Sequence, residues 1–185
     1  MNLRIVPVAD APWDDVRMVF GTRGDPSRCW CQYFKMDAAT WKVQDVPGFE
    51  RALCDQIDEA RAAHGAGPGV IAYDGENPVG WAAVEPRPAY RRIVDGDDSG
   101  VWAVTCFVVR VGHRRKGVAG ALLAGAVDQA RAAGARVVEG FPTVASRETS
   151  SADLFHGPLS VFEAAGFEVV ERPSERRAVV RLALR

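Results

Sequence analysis

Val109-Arg110-Val111-Gly112-His113-Arg114-Arg115-Lys116-Gly117-Val118-Ala119-Gly120 joins two stretches of opposite character. Before it, Val101 to Val109 is apolar apart from Thr105, the pattern of a central strand covered on both faces. After it, Gly117 to Ala133 is rich in Ala, Leu and Val and stops at Gly134, as a helix would. Arg136-Val137-Val138-Glu139 then reads as the next strand. The order is strand, glycine-containing turn, helix, strand, which predicts a mixed α/β fold.

The turn suits capture of an anion. First-turn N–H groups of a helix lack intrahelical acceptors, and the aligned peptide dipoles put partial positive charge there, so a pyrophosphate can be held by backbone donors. Gly117, Ala119 and Gly120 keep side chains out of the way. Arg114, Arg115 and Lys116 add cations at a helix end where cations alone are unfavourable, a conflict that a bound anion relieves. A solvated basic turn would look similar in sequence. Two other phosphate motifs fail on their letters, because no Gly-Lys-Ser/Thr occurs and Gly112 with Gly117 does not make Gly-x-Gly-x-x-Gly.

Working outward, Val70 to Tyr73 and Val79 to Val84 flank Asp74-Gly75-Glu76-Asn77 and read as a hairpin. Leu3 to Val8 reads as a first strand, Pro12 to Phe20 as a helix, Thr22 to Gln32 as a loop, and Pro47 to Ala63 as a second helix with Phe49, Leu53 and Ile57 on one stripe. Towards the carboxyl end, a polar loop from Phe141 to Gly157 precedes a helix from Pro158 to Ala165. A final strand pair follows, Phe167 to Val170 with Ala178 to Leu184.

The chain has 185 residues with 23 Lys+Arg against 24 Asp+Glu, a net charge of −1. That length supports one domain with a full core, and no repeat or linker divides it. Residues 1–69 read as acceptor-side helices and loop, and 70–185 as the ligand-binding core. Near-neutral charge argues against a nucleic-acid partner, since no broad positive field exists. No apolar run approaches a membrane span, and the amino terminus lacks a signal-peptide core. Cys29, Cys31, Cys54 and Cys106 form no dense disulfide framework, so thiols and a cytoplasmic location are expected.

Arg114-Arg115-Lys116-Gly117-Val118-Ala119 fits Gln/Arg-x-x-Gly-x-Gly/Ala, and here the sequence resembles the GCN5-related N-acetyltransferase (GNAT) superfamily. Leu122-Leu123 and Phe162-Glu163-Ala164-Ala165-Gly166-Phe167 extend the resemblance from about Val70 to the carboxyl end. It implies a mostly antiparallel twisted sheet with helices on both faces, and a splayed central parallel strand pair forming the acyl-CoA cleft. It further implies acetyl-CoA as co-substrate. The backbone of Phe107, Val108 and Val109 would hold the pantetheine, the N–H groups from Arg114 through Arg115, Lys116, Gly117, Val118 and Ala119 to Gly120 would hold the pyrophosphate, and the Val108 N–H would stabilise the oxyanion.

Amine acylation needs an uncharged nucleophile, whereas a lysine-like amine has a pKa of about 10.4, so a base must take a proton. Glu85, closing the hairpin's second strand, is the first candidate; a solvated strand end is the plainer alternative. Asp97 and Asp98 are candidates for holding a cationic acceptor, and a plain polar turn is the favoured alternative. The superfamily's acid, a late-helix Tyr, aligns with Phe162, which has no proton to give. His156 or Ser160 could replace it. Cys29-Trp30-Cys31 lacks a second ligand pair, so no metal is expected. Trp13, Trp30, Tyr33, Phe34 and Trp41 could wall the acceptor cleft or pack the core. The expected activity is direct acetyl transfer to a small-molecule or peptide amine acceptor. A noncatalytic acyl-CoA-binding or regulatory domain is the alternative, and the resemblance allows a homodimer.

Overall fold

A computed structural model describes residues 2–63, 65–93, 99–144, 149 and 153–184. The chain runs β1 (Leu3–Pro7), α1 (Trp13–Phe20), α2 (Pro26–Cys29), α3 (Ala38–Val43), α4 (Val46–Ala62), β2 (Gly69–Asp74), β3 (Asn77–Pro86), β4 (Val101–Val109), α5 (Val118–Ala132), β5 (Val137–Gly140), α6 (Leu159–Ala164), β6 (Glu168–Ser174) and β7 (Arg177–Ala183). Thr22 to Gln32, expected to be a loop, contains α2, with Pro26 at the first-turn position that tolerates it. The helix α3 has no apolar stripe to announce it. Asp37 caps it instead, accepting from the N–H groups of Ala39 and Thr40.

The strands form one sheet in the order β1-β2-β3-β4-β5-β7-β6. Only β4 and β5 are parallel, and α5 is the crossover helix that a parallel pair requires. One face of the sheet packs on α5 and α6 through Val104, Phe107, Leu122, Leu123 and Phe162. The other packs on α1 and α4 through Val16, Phe20, Leu53, Ile57 and Trp81. The apolar stripe Phe49, Leu53 and Ile57 is buried as its spacing predicts. Among the described residues, no helix is long and apolar enough to cross a membrane.

Two irregularities of β4 shape the site. First, β4 has nine residues and β5 four, so their pairing stops at Val104 with Gly140, and among the described residues the rest of β4 has no strand on that side. A side chain at Gly140 would strike the Phe162 ring, which fixes how closely α6 meets β5. Second, Ala83 pairs with Cys106 while Val84 pairs with Val104, leaving Thr105 as an extra residue. Such a bulge shifts the alternation of the side chains by one. Thus Trp102 and Val104 share a face with Phe107 and Val109, while Cys106 and Val108 point to the α1 and α4 side.

Candidate active site

Where β4 leaves β5, a cleft of about 510 Å³ opens between Phe107 and Val109 on one wall and Leu154, Phe155 and Val161 on the other. The start of α5 closes one end, with Arg114, Arg115, Gly117, Val118, Ala119 and Gly120 in the lining. Lys116 is exposed and outside that lining. Gly117 caps α5 at φ 82, a left-handed conformation that glycine adopts without strain. No side chain caps that end of the helix, so its first amides are free to face a ligand.

The strand register decides which amides face the cleft. The Arg110 N–H donates to the Val79 carbonyl at 3.0 Å. Since hydrogen-bonded and non-hydrogen-bonded pairs alternate in an antiparallel ladder, the Val108–Trp81 pair, two positions back, is also hydrogen-bonded. The Val108 N–H therefore points at β3. This corrects the expectation that it serves the oxyanion. The N–H and C=O groups of Phe107 and Val109 point the other way, into the splay.

Arg110 donates to Asn77 Oδ1 at 2.7 Å and to the Pro78 carbonyl at 2.8 Å, so it braces the hairpin rather than the cleft. Arg114 Nε donates to the Val109 carbonyl at 3.2 Å and tethers the turn to the strand end. His113 also lines the cleft, with Nδ1 buried and, among the described residues, without a hydrogen-bond partner. A histidine in a basic turn carries no spacing signal, so the sequence alone does not single it out.

On the other face of β4, Glu85 sits opposite Ala103, and its carboxylate pairs with the Lys35 ammonium. Lys35 also donates to Gln56 Oε1 at 2.7 Å, and Gln56 exchanges hydrogen bonds with the buried Gln32. Tyr90, almost wholly buried, brings its ring to 6.0 Å from the Lys35 nitrogen. Burial, reinforced by the Glu85 charge, pushes its phenol well above the usual range. Sequence reasoning found Glu85 but neither Lys35 nor Tyr90. A second carboxylate, the buried Glu139, also pairs with Ala103 from the far side, but Arg87 at 3.5 Å and Arg181 at 3.2 Å hold its charge.

His156 ends a single helical turn, Asp153–His156, that packs on the free side of β4. Its Nδ1 lies 3.2 Å from the carbonyl of the bulged Thr105. Burial and the nearby Arg177 lower its pKa to about 4, so the ring is neutral at pH 7. The carbonyl partner assigns the proton to Nδ1, which leaves Nε2 bare. The geometry thus does not supply the acid expected of His156. Ser160 is exposed and outside the cleft lining. The expectation that it replaces the missing phenol fails because its side chain points to solvent. Phe162 is fully buried, edge-on to Phe107 and Phe167. Asp97 and Asp98 lie outside the described residues.

The five aromatics divide. Trp30 stacks between Trp13 and Phe20 in the core. Tyr33 meets Phe34 and Trp41 edge-on, Arg92 lies 4.2 Å over the Tyr33 ring, and Phe34 meets the His156 ring at 5.4 Å. The second group forms an aromatic roof that runs from Trp41, stacked on Phe49, to His156 on the free side of β4. All four cysteines are free thiols. Burial pushes Cys29 up to about 12 and Cys31 well above the usual range, so neither is a ready thiolate.

The model of the acetyltransferase (GNAT) family matches residues 30–156. No curated protein matches the sequence. Among solved structures, an N-acetyltransferase from Staphylococcus aureus Mu50 superposes with a TM-score of 0.59 at 16% identity, covering 100% of both chains. The PaiA N-acetyltransferase from Thermoplasma acidophilum in complex with coenzyme A gives 0.57 at 11%, again over 100% of both chains. A ribosomal-protein-alanine N-acetyltransferase from Brucella melitensis gives 0.58 at 14% over the same full coverage. At these identities the likeness is one of fold.

Proposed function

The chain belongs to the acetyltransferase (GNAT) family, and from that premise we propose that it transfers an acetyl group from acetyl-CoA to a primary amine by direct attack in a ternary complex. One observation carries the reading. The splay of β4 from β5 turns the Phe107 and Val109 backbone into a cleft whose end is the uncapped start of α5. An extended pantetheine can add to β4 as a strand would, with its diphosphate on the α5 amides beside Arg114 and Arg115. A relative that superposes over its full length holds coenzyme A, which supports the same ligand here.

Oxyanion stabilisation falls to the cleft-facing N–H groups of Phe107 and Val109, fixed donors that need no reorganisation during the reaction. Glu85, on the opposite face, takes the proton from the incoming ammonium. The sulfur leaves as a thiolate. With a thiol pKa of about 8.5, departure without a protonating side chain slows the step without stopping it. Free thiols support a reducing compartment, and we place the reaction in the cytoplasm. The acceptor is a small molecule or peptide that reaches Glu85 beneath the Tyr33, Phe34 and Trp41 roof.

The test is release of free thiol from acetyl-CoA with a panel of amines. Turnover is expected, and Glu85→Gln should lower kcat by about a hundredfold while the Kd for coenzyme A stays the same. Binding of coenzyme A without turnover across the panel would favour a binding or regulatory domain instead.

A further inference from the structure

We propose that Lys35 is itself an acetyl acceptor, modified by its own chain beside the Glu85 carboxylate. The inference rests on the acetyl-transfer reading above. Its basis is the identity of the group that occupies Glu85. An external primary amine arrives as an ammonium and must meet this carboxylate to lose its proton. In the structure a primary ammonium is already there. It belongs to Lys35, whose side chain is 8% exposed, and it contacts a Glu85 side chain that is 20% exposed.

A purely structural role accounts poorly for the pair. Burying a lysine and a glutamate removes hydration from both, and well-packed apolar residues commonly serve stability as well or better. Here the pair also engages the one carboxylate that the chemistry needs. The surroundings hold the Lys35 nitrogen in place without enclosing it in further charge. Gln56 Oε1 accepts one hydrogen bond, and the Tyr90 ring faces it at 6.0 Å.

Position also favours it. The adjacent residue, Phe34, packs edge-on against His156, and His156 is hydrogen-bonded to the Thr105 carbonyl. Phe107 and Val109, whose amides face the cleft, follow within four residues. Lys35 thus directly follows the roof residue that reaches the bulge through His156, and its four-carbon stem gives the amine room to swing from Glu85 towards the splay. Tethering gives it an effective concentration that a free amine cannot match.

The step balances. Glu85 takes one proton from the Lys35 ammonium, and the freed Nζ lone pair attacks the thioester carbonyl carbon. The tetrahedral intermediate collapses with breakage of the C–S bond, and the departing thiolate takes the second nitrogen proton. The products are Nε-acetyl-Lys35, the free thiol of coenzyme A, and a proton that Glu85 passes to water. Acetylation removes the positive charge, so Glu85 is released to receive an external amine.

The experiment incubates the full chain with acetyl-CoA and no added acceptor, then measures acetyl groups by peptide mass spectrometry at its three lysines, Lys35, Lys42 and Lys116. Lys42 and Lys116 are exposed and report uncatalysed acetylation. Lys35 should be modified at least about tenfold faster than either, despite its burial. The rate per molecule should not change on dilution, and Glu85→Gln should abolish the excess. If that variant does not fold, the ratio and the dilution series decide alone. A bare Lys35, or one modified no faster than Lys42, overturns the inference. The amine panel separates the two failures, since turnover with Lys35 bare would leave acetyl transfer standing, and no turnover with Lys35 bare would remove both.

Discussion

The two sides of β4 are built by different means. The cleft side draws most of its ligand-facing groups from the main chain of residues 107–120, and those groups would be much the same with other side chains. The acceptor side is assembled from side chains far apart in sequence, with Lys35, Gln56, Glu85 and Tyr90 meeting over one patch of sheet. A main-chain site depends on local conformation, and a side-chain site depends on tertiary packing. The two sides should therefore break differently.

The sharpest separation is expected at Gly117. Its φ of 82 is strained for any residue with a Cβ, and a β-branched one suffers most. Open space surrounds the position, so Gly117→Val acts through strain and not through a clash. A cost of about 1–3 kcal/mol in holding the turn corresponds to a rise of about tenfold to a hundredfold in the Kd for coenzyme A. Isothermal titration with coenzyme A reads it. The Lys35–Glu85 pair is remote, so self-acetylation at saturating acetyl-CoA should persist. Loss of both at saturation would show that the two sides are not separable.

A smaller effect tests whether charge assists the amides. Arg114 lines the cleft, and Arg110 is engaged with Asn77 and Pro78. Arg114→Glu should weaken coenzyme A binding by about tenfold and make it less sensitive to salt than in the wild type. Arg110→Glu should instead lower the melting temperature by loosening the hairpin and leave affinity nearly unchanged. Equal losses of affinity would mean that a diffuse positive field, and not the start of α5, attracts the ligand.

This contrast also explains what the letters could reveal. The β4 strand, the basic turn and α5 were legible because alternation, glycine placement and helix-start chemistry all act over neighbouring residues. Glu85 was legible as the end of a strand, but its partner Lys35 was not, since fifty residues separate them. The bulge at Thr105 was illegible too, and it decides which amides face the cleft. An extra residue in a continuously apolar strand leaves no break in the pattern. The expectation for Val108 failed there, while Phe107 and Val109 kept their place. The short α2 and α3 were missed because each depends on its turn or cap chemistry rather than on a long apolar stripe.

His156 ties the two sides together, since it reaches Phe34 in the roof and the Thr105 carbonyl in the bulge. Its pKa is lowered from 6.5 to about 4, so the unfolded chain binds its proton more tightly than the folded one. Stability from this group is therefore fully present above pH 6.5 and is lost progressively as pH falls towards 4. Allowing for solvent around a ring that is only partly buried, the loss by pH 5 is about 1 kcal/mol. His156→Phe keeps the aromatic contact with Phe34 and has nothing to titrate. Denaturant melts from pH 7 down to pH 5 should show the wild type losing that increment relative to the variant. At pH 7 the variant should be the less stable, because the Thr105 carbonyl loses its donor. Parallel profiles for the two proteins would mean that the imidazole titrates in the fold as it does in the unfolded chain. His156 would then be restored as a candidate acid for the leaving sulfur.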